Sequence, residues 1–230
     1  MTDTSGIQSQ VLLQVSELFY SIQGESTRAG LPCVFIRLSG CNLRCNYCDA
    51  AYTWTEPGTP HSLASLLNWV LAQDCNLVEL TGGEPLGQNG VYALMQALLA
   101  NGLQVLLETN GSLGIGRVPL AVGIVVDVKC PDSGMDAHWH ADNLNLLRNR
   151  AQQGAHDELK FVLSSEHDFY WAWDFVQRHR LQELLPILFS PLQPQLPPQQ
   201  LAELMLQHRV QARLQLQLHT LLWPDKARGV

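Results

Sequence analysis

The sequence predicts an α/β fold: a parallel sheet curved into a partial, open barrel. Three observations carry this. Short apolar runs of strand type alternate with stretches of helical spacing, from Cys33 onward. Residues with chemistry to offer fall at the carboxyl ends of successive strand runs, at 41–48, 81–85, 108–111, 127–129 and 190–191. In barrels of alternating strands and helices, that end is where sites are built. The 230 residues leave barely room for a complete eight-fold barrel, so an open one is expected, as a single domain over 1–230.

Residues 1–10 are polar and expected to fray. Val11 to Tyr20 is rich in strand formers and leads into Ser21-Ile22-Gln23-Gly24-Glu25-Ser26, which Gly24 and Gly30 mark as a loop. Cys33 to Ser39 reads as a buried strand interrupted by Arg37. An arginine there needs an anionic partner, either a neighbouring carboxylate or a bound anion. Leu63, Leu66, Leu67, Val70 and Leu71 repeat at helical spacing, with His61-Ser62 as the start. Leu77 to Leu80 is a strand running into Thr81-Gly82-Gly83-Glu84-Pro85. The paired glycines allow a backbone to approach a ligand closely and offer it their amides.

Val91, Leu94, Met95, Leu98 and Leu99 mark a second helix, stopped by Asn101-Gly102. Strands follow at Leu103–Leu107 and Val122–Val126, leading into Glu108-Thr109-Asn110-Gly111 and Asp127-Val128-Lys129. Leu144 to Gln152 is weakly helical, Leu159 to Leu163 is a strand, and Phe169, Ala172, Trp173 and Val176 form a core-facing helical stripe. Leu185 to Phe189 is a strand ending at Ser190-Pro191, Leu201, Leu204 and Met205 mark a helix, and Leu214, Leu216 and Leu218 alternate as in a strand. Residues 220–230 read as a tail.

Composition excludes several classes of function. Net charge is −7 and lysines and arginines do not cluster, which disfavours a nucleic-acid partner. The apolar runs are too short to span a bilayer. The N-terminal residues carry no charged-then-apolar leader pattern, so a cytoplasmic location with reduced thiols is expected. The six cysteines are then better read as three ligands plus three ordinary thiols (Cys33, Cys75 and Cys130) than as disulfides.

Those three ligands stand in Cys41-Asn42-Leu43-Arg44-Cys45-Asn46-Tyr47-Cys48, the order C-x-x-x-C-x-x-C. Four thiolates would close a zinc site or saturate an iron–sulfur cluster. Three with no fourth nearby suggest a [4Fe–4S] cluster with one iron open to a small molecule. The alternative is a zinc site with His61 as a distant fourth ligand.

The cysteine triplet followed by Thr81-Gly82-Gly83-Glu84-Pro85 resembles the radical S-adenosylmethionine (SAM) enzymes, known for partial barrels. In that superfamily the open iron chelates SAM, and an electron cleaves it to methionine and a 5′-deoxyadenosyl radical. Phe19-Tyr20-Ser21-Ile22-Gln23-Gly24-Glu25, Phe35-Ile36-Arg37-Leu38-Ser39-Gly40-Cys41, Cys48-Asp49 and Glu108-Thr109-Asn110-Gly111 narrow the resemblance to the 7-carboxy-7-deazaguanine synthases, the QueE family, from about residue 15 to His219.

The resemblance implies a reaction and roles. The substrate is 6-carboxy-5,6,7,8-tetrahydropterin. The radical takes the hydrogen at C6, the ring contracts, ammonia leaves and SAM is regenerated. The product feeds biosynthesis of queuosine and other 7-deazapurines. Cys41, Cys45 and Cys48 would ligate the cluster. Gly83 and Glu84 would meet the methionine end of SAM, with Tyr47 and Asp49 nearby. Asp127, Val128 and Lys129, and the late segment Ser190, Pro191, Leu192 and Gln193, would supply further SAM contacts. Ile22, Gln23 and Gly24 would meet the pterin edge. Arg37 would take the substrate carboxylate, which a fork donor suits. Thr81 would bond the pterin, Glu108 would accept from its guanidine-like edge, and His219 would lie near the site. A flavodoxin-type electron donor and a homodimer are the family expectation.

Two departures stand out. Where family members often have threonine after Cys-Asp, with a hydroxyl that helps bind Mg²⁺, this chain has Ala50. A methyl group cannot ligate a hard cation, so reduced Mg²⁺ dependence is expected. And where some members end soon after the Q-x-H segment, this chain runs on through Trp223 to Val230. The rival readings are a radical SAM activase that places a glycyl radical on a partner protein, and a non-catalytic zinc-binding domain.

Overall fold

The computed structural model describes residues 11–230, so the expected fraying of 1–10 lies outside the described residues. A nine-stranded sheet organises the chain. Its strands are β1 (Leu12–Ile22), β2 (Pro32–Leu38), β3 (Thr59–Ser62), β4 (Leu77–Gly82), β5 (Gln104–Thr109), β6 (Gly123–Asp127), β7 (Glu158–Leu163), β8 (Ile187–Pro191) and β9 (Arg213–Leu214). They lie in the order β3-β1-β2-β4-β5-β6-β7-β8-β9, and β3 does not pair with β9, so the barrel is open. From β2 to β9 every pairing is parallel, while β1 runs antiparallel to β2 and to β3.

The helices are α1 (Tyr52–Thr55), α2 (Leu63–Leu71), α3 (Gly90–Ala100), α4 (Asn143–Gln152), α5 (Glu166–His179), α6 (Pro198–Gln207) and α7 (Leu218–Leu222). Helix α2 starts where expected, with the Ser62 hydroxyl accepting from the Ser65 amide at 3.1 Å. Helix α3 stops at Asn101, and Gly102 takes a left-handed φ of 76°.

Side-chain parity along the strands separates two environments. Val34, Ile36 and Leu38, Val78 and Leu80, Val105 and Leu107, Ile124 and Val126, and Leu159, Phe161 and Leu163 join the main core with the helices. The alternate residues face the barrel interior. At its lower end Phe19, Cys33, Phe35, Leu77 and Leu106 form a small apolar plug, with Phe19 stacked on Phe35 at 4.7 Å. Above the plug the same parity brings polar residues inward.

One expectation is corrected and one strand is added. Leu214, Leu216 and Leu218 do not continue as a strand: β9 is two residues long. The chain leaves the sheet edge because the Leu218 amide and the Gln215 side chain turn to the Gly24 carbonyl, at 3.2 Å and 3.5 Å. Leu218 then opens α7, which carries His219. The edge strand β3, which pairs Leu12–Val15 with Thr59–Ser62, has no apolar alternation to announce it.

Candidate active site

The cluster loop and the Thr81–Pro85 turn cross each other closely. The Gly83 amide donates to the Leu38 carbonyl at 3.1 Å and the Glu84 amide to the Gly40 carbonyl at 2.8 Å. A Cβ on Gly83 would lie 2.2 Å from the Gly40 carbonyl oxygen and 2.8 Å from Cys41 Cβ. These glycines therefore serve the fit of one loop on the other. The Gly83 amide, expected to face a ligand, is bonded within the protein.

Glu84 is buried and turned away from the cavity. Its carboxylate accepts from the Thr109 hydroxyl at 2.8 Å, the Asn110 amide at 2.8 Å and the Leu86 amide at 3.0 Å. It thereby ties β5 to the cluster side, and Asn110 Nδ2 reaches Cys41 Sγ at 3.7 Å.

Cys41, Cys45 and Cys48 all line one cavity of about 370 Å³. Cys41 and Cys45 are half-buried and Cys48 is exposed. Burial pushes the Cys41 and Cys45 thiols up; at Cys45 Lys129 opposes the rise. Cys33, Cys75, Cys130 and His61 do not line the cavity, and His61 sits on the edge strand β3 opposite Leu13. A zinc site completed by His61 therefore has no geometric support. Three thiols from one loop, with no fourth cysteine lining the cavity among the described residues, would suit a [4Fe–4S] cluster that leaves one iron without a protein thiolate.

Below the loop lies the polar barrel interior. Arg37 pairs in register with Glu17 on β1, and its Nε donates to Glu17 Oε1 at 2.6 Å. The arginine-in-a-strand problem is thus answered by a cross-strand carboxylate, with Arg37 still lining the cavity. Thr81 donates to Glu108 Oε2 at 3.1 Å, and Lys160 bonds Glu108 Oε1 and, at 2.8 Å, Glu25. Burial pushes the Glu108 carboxyl up, but Lys160 outweighs this and holds it at about 2. Glu79 makes no ion pair among the described residues, and Lys160 lowers it less than its surroundings raise it. Burial, then the charges of Glu108 and Glu25, raise it to about 8. It accepts from Gln23 Nε2, while Gln23 Oε1 accepts from the Glu25 amide at 2.9 Å, which fixes that amide's orientation.

Ile22, Gln23, Gly24, Arg37, Thr81, Glu108 and His219 all line this cavity, as do Tyr47, Asp49, Gly83, Asp127, Lys129 and Leu192. Tyr47 donates to the Val162 carbonyl at 3.3 Å, and Lys129 pairs with Asp127 at 2.7 Å. The ideal Cβ position of Gly24 lies 3.5 Å from His219 Nδ1, an ordinary contact distance, so the start of α7 packs directly on this loop. Glu84, Val128, Ser190, Pro191 and Gln193 do not line the cavity. Asp49 and Ala50 line it side by side. Among the described residues the grouping of His, Cys, Asp and Glu able to hold an ion is Asp132, His167 and Asp168, none of which reaches the cavity.

Sequence reasoning missed Glu17, Glu25, Glu79 and Lys160. Glu79 in Leu77-Val78-Glu79-Leu80 and Lys160 in Leu159-Lys160-Phe161 carried the signal already noticed at Arg37, a charge inside an apolar strand.

The radical SAM superfamily profile matches residues 35–120. The 7-carboxy-7-deazaguanine synthase of Chlorobaculum tepidum is 44% identical over 224 residues, covering 97% of this chain and all of that protein. The enzyme of the same name from Koribacter versatilis is 38% identical over 234 residues, covering 95% of this chain and all of that protein.

The chain belongs to the 7-carboxy-7-deazaguanine synthase family.

The fold agrees. The crystal structure of QueE from Escherichia coli superposes with a TM-score of 0.74 at 21% identity, covering 94% of this chain and 99% of that one. SuiB from Streptococcus suis bound to its precursor peptide SuiA gives 0.54 over 76% of this chain and 46% of that one. The open parallel barrel is therefore of the radical SAM type, and the chain is a radical SAM lyase that uses a [4Fe–4S] cluster and SAM. Relatives matched over their whole length are synthases, which leaves the activase reading without support. No helix among the described residues is long and apolar enough to cross a membrane.

Proposed function

We propose that this chain converts 6-carboxy-5,6,7,8-tetrahydropterin to 7-carboxy-7-deazaguanine with loss of ammonia, in 7-deazapurine and queuosine biosynthesis. One observation carries the substrate assignment. Under a three-cysteine loop, one cavity holds an arginine beside Glu17 and a layer of carboxylates beside Lys160. A carboxylate on one side of a ring and a guanidine-like edge on the other match that division of charge. When bound, the cluster and SAM supply reductive cleavage of SAM and hence abstraction of a hydrogen atom.

The chain's own residues bind, orient and exclude water. Cys41, Cys45 and Cys48 hold the cluster. Tyr47, Asp49, Gly83, Asp127, Lys129 and Leu192 line the SAM side, with Glu84, Val128, Ser190, Pro191 and Gln193 supporting it from behind. Arg37 takes the substrate carboxylate through its terminal nitrogens, since Nε is held by Glu17. Glu108, kept ionised by Lys160, accepts from the guanidine-like edge beside Thr81. Ile22, Gln23 and Gly24 frame the ring, and His219 closes that frame from α7. Mg²⁺ dependence is reduced, because Ala50 offers no oxygen: the ion is either dispensable or held more weakly by substrate, water and Asp49.

Residues 1–230 act as one domain, with 220–230 as a tail over the site. A flavodoxin-type donor reaching the exposed Cys48 side, a homodimer and a cytoplasmic setting complete the reading. The test is anaerobic: reconstitute the cluster, add SAM, reductant and 6-carboxytetrahydropterin, and detect 7-carboxy-7-deazaguanine by mass. Cleavage of SAM without product would sink the pterin assignment.

A further inference from the structure

The cations lining the cavity are Arg37, Lys129, Lys160, Lys226 and Arg228. Four are already committed. Arg37 is held by Glu17 at 2.6 Å, Lys129 by Asp127 at 2.7 Å, Lys160 by Glu25 at 2.8 Å and by Glu108, and Arg228 by Glu56 at 2.5 Å. Lys226 alone pairs with no acid among the described residues.

Its place in the fold is set by its neighbours in the chain. The Arg228 guanidinium lies over the Tyr52 ring at 4.0 Å, and the Gly229 amide donates to Glu17 Oε2 at 3.0 Å. Tyr52 Oη donates to Glu17 Oε1 at 2.7 Å, the oxygen that also holds Arg37. The tail is thus docked on the carboxylate that positions Arg37. Lys226 precedes Arg228 by two residues, about 7 Å of extended chain.

The charge count completes the case. Arg37 is already balanced by Glu17, and Asp49 adds a further negative group to that part of the lining. An incoming carboxylate therefore meets no net positive charge from these three groups. The terminal nitrogens of Arg37 offer hydrogen bonds, but a further cation is needed to offset the added negative charge. Ala50 withholds the side-chain oxygen that a threonine would offer a metal there, leaving Asp49 alone on that stretch. A lysine is a compact point charge on a flexible stem, suited to reach in from a tail.

We propose that Lys226 is a substrate-binding residue: its ammonium takes the substrate carboxylate together with Arg37, in the role a divalent cation would otherwise fill. This rests on the pterin assignment above, and the test separates the two. The cluster-loaded, SAM-bound enzyme is held without reductant and titrated with 6-carboxytetrahydropterin and with tetrahydropterin, in EDTA and in Mg²⁺. The wild type is expected to bind the carboxylated ligand equally in both buffers. Lys226→Met should weaken that ligand about tenfold, leave tetrahydropterin unchanged, and keep the thermal midpoint, since Lys226 is exposed. Lys226→Arg should retain most of the affinity.

Equal binding of the carboxylated ligand by Lys226→Met and wild type overturns the inference. So does equal weakening of both ligands, which would make the tail a lid without charge selectivity. A wild type that needs Mg²⁺ for the carboxylated ligand overturns it too. A wild type that binds SAM but neither pterin overturns the substrate assignment, and the inference with it.

Discussion

Glu79→Gln should change how stability depends on pH. The Glu79 carboxyl is buried between Glu108 and Glu25 and is raised from its ordinary 4.5 to about 8, so the folded protein keeps a proton there that the unfolded chain releases. Between those values the folded state binds more protons, and stability must fall as pH rises. At 1.36 kcal/mol per decade, ionising Glu79 fully in place costs about 5 kcal/mol, of which roughly 3–4 kcal/mol develops between pH 5 and pH 8. Glu108 acts in the opposite sense: held at about 2, its contribution is present above 4.5 and lost only as pH falls toward 2, outside this range. His179, lowered by burial and nearby arginines, is common to both proteins and cancels in their difference. The assay is urea denaturation of wild type and Glu79→Gln, both cluster-loaded, from pH 5 to pH 8.5. The difference in unfolding free energy should move toward the variant by that amount. Parallel curves would show that Glu79 is ionised in the folded protein and refute the reasoning.

Lys160→Met removes the cation from Glu108 and Glu25 while keeping its volume; a loss of about 3–5 kcal/mol is expected, read as a lower denaturation midpoint. Gly83→Ala places a methyl 2.2 Å from the Gly40 carbonyl; it should cost about 2–3 kcal/mol and lower iron and sulfide content, and full cluster loading would refute the crossing described here. Ala50→Thr restores an oxygen beside Asp49, and substrate binding should become Mg²⁺-responsive where the wild type is not, as titration in EDTA against Mg²⁺ would show.

The sequence alone determined what depends on near neighbours. The strand runs are short and apolar because parallel strands are covered by helices on one face and pack a barrel interior on the other. The alternation was therefore legible, as were the cysteine triplet and the Thr81–Pro85 turn, whose residues act within one loop. Tertiary structure decided what depends on register and on segments far apart. Which carboxylate answers Arg37 was set by the antiparallel pairing that puts Glu17 opposite it, twenty residues earlier. Whether Gly83 serves a ligand or a loop was set by how closely the Gly40 carbonyl passes. Glu79, Glu108 and Lys160 come from three different strands, and inward parity makes them one network. The tail shows the same division most sharply. Its charges are plain in Lys226 and Arg228, but only the docking of Gly229 on Glu17 brings the tail to the carboxylate that holds Arg37, because a contact across more than two hundred residues leaves no local pattern.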